Sequence, residues 1–60
     1  MNERIRMTAR KKRVALWEIA EKIGISEATI TRWMRTPLPE EKENRILQAI
    51  TKIAEERKAD

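Results

Sequence analysis

Apolar positions recur at spacings of three and four along most of this chain, the rhythm that places side chains on one face of a helix. Ile5 and Ala9 mark a thin stripe over Asn2 to about Lys12, widened by Met1 and the Lys12 stem, with Met7 on the solvent side. From about Ala15 to Ile23 the stripe is Leu16, Ile19, Ala20 and Ile23. A third helix, Glu27 to about Arg35, points Ile30 and Trp33 inward and leaves Ala28, Thr31, Arg32 and Arg35 on the opposite side. A last helix from about Pro39 carries Ile46, Leu47, Ile50, Ile53 and Ala54 on about a third of its circumference.

The breaks between these stretches are chemically specific. Gly24 can take the left-handed conformation that closes the second helix, Ile25 can turn back into the core, and the Ser26 hydroxyl can cap the helix that follows. Pro37-Leu38-Pro39 cannot continue a helix and makes a short stiff connection. Glu40, Glu41 and Glu43 suit the positive start of the last helix, and Arg57 and Lys58 its negative end. No alternating strand pattern or repeat is present, so the expected fold is all-α: one small four-helix domain over residues 1–60.

Composition narrows what such a domain can do. Sixty residues support one modest core, and with no cysteine or histidine neither a disulfide nor an ordinary zinc site can brace it. No metal or cofactor is expected. Fourteen Lys and Arg against ten Asp and Glu give +4, with the cations crowded into the first 35 positions, which points to a polyanionic partner. No apolar run approaches the roughly 20 residues that span a bilayer, and the N-terminus lacks the apolar stretch of a secretory signal. The expectation is a soluble, cytoplasmic protein that does not bind membranes. Catalysis is not expected either, since Glu18 and Glu21 sit on a wet helical face with no cleft, nucleophile or base, and a core this small offers no pocket for a small-molecule substrate.

The segment 16–35 carries the functional signal: a small Ala20 where two helices approach, Gly24 four residues later, then Ile25, Ile30 and Trp33 as anchors. Through Ile19-Ala20-Glu21-Lys22-Ile23-Gly24-Ile25-Ser26 and Thr29-Ile30-Thr31-Arg32-Trp33 the chain resembles the phage repressor and Cro-like helix-turn-helix family. The likeness extends more loosely to the basic first helix and to Ile50-Thr51-Lys52-Ile53-Ala54. It implies a trimmed lambda-repressor-like domain, a small cytoplasmic transcriptional regulator of phage or mobile-element type. In that family the helix matching Glu27 to Arg35 enters the DNA major groove while the helix before it crosses the backbone.

The residue chemistry points to the same face. The Arg32 guanidinium can donate twice to guanine, and Ala28 or the Thr31 methyl can meet a thymine methyl. Glu27 can accept from a cytosine amine or simply stabilise the helix start. Ser26, Thr29, Arg35, Lys11 and Arg13 are the candidates for phosphate contact.

The chain departs from the family pattern at three places. Arg13 and Ala15 stand where a glycine and a Ser or Thr cap are usual, so the second helix should be weakly capped. Leu16 replaces a glutamine that touches phosphate, and is expected in the core. Residues 34–39 replace a glycine loop, with only one helix after them. Trp17, on the flank of its stripe, is expected to pack and close a thin core; a partner contact shared with Met34, or a DNA contact, are the alternatives. A homodimer through the last helix is expected, because one such motif makes few base contacts and a chain this short is marginally stable alone. Two other functions fit the scaffold: a protein-interaction module of antirepressor or inhibitor type, and an excisionase-like recombination factor, whose winged family Trp33-Met34-Arg35 and Leu38-Pro39 also resemble. The latter should continue into a β-hairpin after Pro39.

Overall fold

A computed structural model describes residues 2–58. Their secondary structure is four helices and no strand: α1 Glu3–Lys12, α2 Leu16–Ile23, α3 Glu27–Met34 and α4 Glu40–Lys58. The expected helices are all present, each end lying within about one residue of its predicted place, including α4, whose last turn carries Arg57 and Lys58. Met1, expected on the α1 stripe, lies outside the described residues, and the Lys12 side chain is exposed.

The core is built from β-branched side chains. Ile5 of α1, Ile19 of α2, Ile30 of α3 and Ile46 and Ile50 of α4 are fully buried, joined by Ala9, Val14, Ala20, Met34, Ala49 and Ile53. Burying one isoleucine is worth about 1.5–3 kcal/mol relative to leaving it wet. Truncating one to alanine costs about 2–5 kcal/mol, comparable with the whole stability of a domain this size. Each helix therefore contributes something the others cannot replace.

α4 is the spine. It passes α1 from Glu43, whose carboxylate lies 3.6 Å from the Arg4 guanidinium, to Arg57, which donates to the Arg13 carbonyl at 2.6 Å. It also packs on α2, where Arg57 pairs with Glu18 and Lys22 Nζ sits 2.6 Å from Glu56 Oε2. Glu18 is thus not on a wet face: its side chain is only 17% exposed, and its carboxylate bridges Arg57 and the Ala15 N–H, the latter at 3.0 Å.

Several expectations about the core are corrected. Trp17 is 54% exposed, because it follows Leu16 by one position, about 100° around the helix from the stripe, where α4 borders an open groove beside it without covering it. Met34 is buried (2% exposed) and Trp33 only half-buried. In α3 the residue four after Ile30 lies nearer its face than the residue three after it, so the apolar stripe turns toward Met34. Trp33 instead shields one side of the core while Lys42 Nζ lies 4.7 Å from its ring centroid. Val14 and Ala49, absent from the predicted stripes, belong to the core, whereas Leu16, Ile23, Ile25 and Leu47 are half-buried against it. No helix among the described residues is long and apolar enough to cross a membrane.

Candidate nucleic-acid interface

The turn between α2 and α3 is closed by backbone alone. Gly24 adopts φ 82°, and both its N–H and that of Ile25 donate to the Ala20 carbonyl at 2.9 Å. A Cβ at Gly24 would meet nothing within 4 Å, so glycine is there for its conformation and not for space. Ser26 then leaves the turn extended, at φ −75° and ψ 157°, and its Oγ accepts from the Thr29 N–H at 3.1 Å. The Ser26 and Thr29 hydroxyls are also 2.8 Å apart. One hydroxyl proton is used between them, which leaves the other for an outside acceptor.

The far end of α3 is held by residues whose role sequence reasoning missed. Asn2 sits in the left-handed region at φ 58°, which asparagine tolerates. Its side-chain amide donates to the carbonyls of Thr36 (2.8 Å) and Met34 (3.2 Å), and the Arg6 guanidinium donates to Met34 at 3.3 Å. The Met34 carbonyl ends the last turn of α3 with no partner inside the helix, and the Thr36 carbonyl lies two residues beyond it, so the start of α1 acts as the C-terminal cap of α3. Nothing in the sequence signals this, because the contacts join residues 28 to 34 positions apart.

Held at both ends and anchored by Ile30 and Met34, α3 turns Glu27, Ala28, Thr31, Arg32 and Arg35 outward along one shallow groove of about 410 Å³. All five are exposed. Neither Arg32 nor Arg35 is ion-paired with a described residue, so the face carries two uncompensated guanidinium groups beside a single carboxylate. These five are the four candidate base-contact residues together with Arg35. Ser26 and Thr29 flank them at the start of the helix.

Lys11 and Arg13 are not brought to this groove. They are exposed at the far end of α1, about 15 Å of helix away from the end that meets α3. Arg13 is in the left-handed region, with φ 57° and ψ 46°, so the expected glycine position is real but is occupied by arginine. Ala15 takes the extended capping conformation without a side-chain acceptor, and α2 is capped only from the other side, by Glu18 reaching back to the Ala15 N–H. The chain matches none of the protein families, curated proteins or solved structures with which it was compared.

Proposed function

We propose that this chain binds double-stranded DNA by inserting α3 into the major groove, acting as a small transcriptional regulator of the phage repressor and Cro-like type. The observation that carries the proposal is the outward face of α3: a rigidly mounted helix presenting Arg32, Thr31 and Ala28 with no internal use for them. In this reading Arg32 donates to a guanine, Ala28 and the Thr31 methyl pack on thymine methyls, and Arg35 with the Ser26 and Thr29 hydroxyls meets phosphate. Glu27, in the first turn, either accepts from a cytosine or stabilises the helix start. Lys11 and Arg13 would reach phosphates outside the groove occupied by α3. α4 occupies the place where a winged excisionase-like domain would carry its hairpin, which favours the repressor-like alternative.

The reading includes a homodimer. One motif contacts a single half-site, and α4 offers a surface where its C-terminal residues Ile53, Glu56 and Arg57 adjoin the exposed Trp17. That exposed tryptophan is also what favours the second reading, a protein-interaction module on the same scaffold.

Selection of duplexes from a random library at low salt, with Arg32→Ala run beside the parent, tests the proposal. Arg32→Ala should lose preference at one position, about 1–3 kcal/mol of discrimination, while other positions keep theirs. Equal enrichment by both proteins removes Arg32 from readout, and failure of every duplex to bind at low salt overturns DNA binding altogether.

A further inference from the structure

A second surface, remote from α3, has its own chemistry. Between the end of α2 and the middle of α4 runs an open groove of about 700 Å³ whose floor is apolar, from the half-buried Ile23 and Leu47, and whose rim carries Lys22, Arg45 and Lys52. No carboxylate and no residue of α3 lines it. Lys22 shares its charge with Glu56, but neither Arg45 nor Lys52 is ion-paired with a described residue.

Cations around an apolar floor select a particular occupant. A phosphate backbone would use the charges and leave Ile23 and Leu47 without a partner, whereas an amphipathic helix with acidic flanks satisfies both. A second copy of this chain fits the groove itself poorly: an antiparallel two-fold contact of α4 centred near Gln48 sets Arg45 against Lys52 of the other copy, cation on cation with no lining carboxylate between them. We propose that this groove docks an acidic amphipathic helix of a partner protein, its leucine-like face on Ile23 and Leu47 and its carboxylates on Arg45 and Lys52. If α3 binds DNA as proposed above, the partner and a duplex would not compete for the same side chains, since the two surfaces share no lining residue, and the domain could bring that protein to DNA.

The probe is a labelled designed peptide of about 15 residues with Leu at i, i+3, i+4 and i+7 and Glu elsewhere, long enough to form a helix once docked. It is compared with a peptide carrying Lys for Glu and one carrying Ser for Leu. The acidic peptide should bind, both controls should fail, and amide shifts should centre on Ile23, Leu47, Gln48 and Thr51. Reversing two rim charges with Arg45→Glu and Lys52→Glu, both on exposed side chains that leave the core intact, should weaken the peptide about tenfold or more. Duplex affinity should then fall only by the small uniform amount expected from net charge. Absence of peptide binding, equal binding of the Ser-for-Leu control, or shifts centred on α3 would each overturn the proposal. So would a large selective loss of duplex binding in the double variant, or dissociation of a dimer by it, since these would assign the groove to DNA or to a second copy. A chain that binds the peptide but no duplex would sink the DNA reading and leave this one standing.

Discussion

Replacing Arg13 by glycine isolates the cost of holding an ordinary residue in left-handed backbone. Arg13 closes α1 at φ 57° and ψ 46°, a region that costs an L-residue about 1–2 kcal/mol. Its N–H donates to Arg10 at 3.1 Å and the Val14 N–H to Ala9 at 2.9 Å, the paired bonds of a Schellman closure. Arg57 binds the Arg13 carbonyl at 2.6 Å. All of these are made by the Arg13 backbone or by its neighbour, so glycine keeps them. Relief of about 1–2 kcal/mol is offset by about 0.4–1 kcal/mol of extra freedom in the unfolded chain, which leaves a net gain of about 0.5–1 kcal/mol. For a domain this small that raises the melting temperature by about 2–8 °C. Arg13→Ala removes the same guanidinium but keeps the Cβ, and should gain nothing comparable. Thermal and urea unfolding of the three proteins at equal concentration decides the matter: a glycine variant no more stable than the parent, or an alanine variant stabilised equally, refutes the strain account.

The same pair of variants separates stability from binding. If Arg13 meets a phosphate, both should lose duplex affinity alike, and the slope of log affinity against log salt should shrink by about 0.9. Arg13→Gly would then be more stable and bind worse, a combination that misfolding cannot produce. Retaining arginine in a strained position is what a residue kept for its side chain would look like.

Ala15→Ser supplies the missing acceptor at an N-terminus already in the capping conformation and should add about 1 kcal/mol, read as a shift of the urea midpoint at constant slope. Asn2→Gly keeps the left-handed backbone but deletes the amide that caps α3, and should cost about 1–2 kcal/mol with faster amide exchange over the last turn of α3; unchanged exchange there would show that the clamp is idle. Sedimentation at micromolar concentration should find a dimer that Trp17→Ala dissociates without unfolding it, and a parent chain that stays monomeric with and without DNA would remove the dimer.

The fold was legible where one physical rule dominated locally. Gly24 and Ser26 fixed the central turn because each solves a backbone problem that few other residues solve, and spacings of three and four placed Ile5, Ile19, Ile30, Ile46 and Ile50 correctly. The errors came where two rules compete. Trp33 is the larger hydrophobe, but Met34 lies nearer the axis set by Ile30, and geometry prevailed over size. Trp17 required knowing whether any helix extends far enough to cover it, which depends on tertiary distance and not on periodicity. The outward residues of the candidate site were readable as the complement of the buried stripe. Its mounting was not, since Asn2 and Arg6 act on α3 from the other end of the chain.

That mounting links the candidate function to the stability of the whole domain. α3 has eight residues, too few to be helical alone in water, so the geometry of Arg32 depends on four supports: the Gly24 turn, the Ser26 cap, the burial of Ile30 and Met34, and the Asn2 and Arg6 clamp. Three of these lie within or beside the helix-turn-helix segment, but the fourth belongs to α1, and α1 is itself held mainly by α4. Loosening α1 would therefore free the end of α3 that carries Arg32 and Arg35 before it disturbed the turn. A duplex bound to those two arginines should in return protect α1 from local opening, although α1 contributes no residue to the groove.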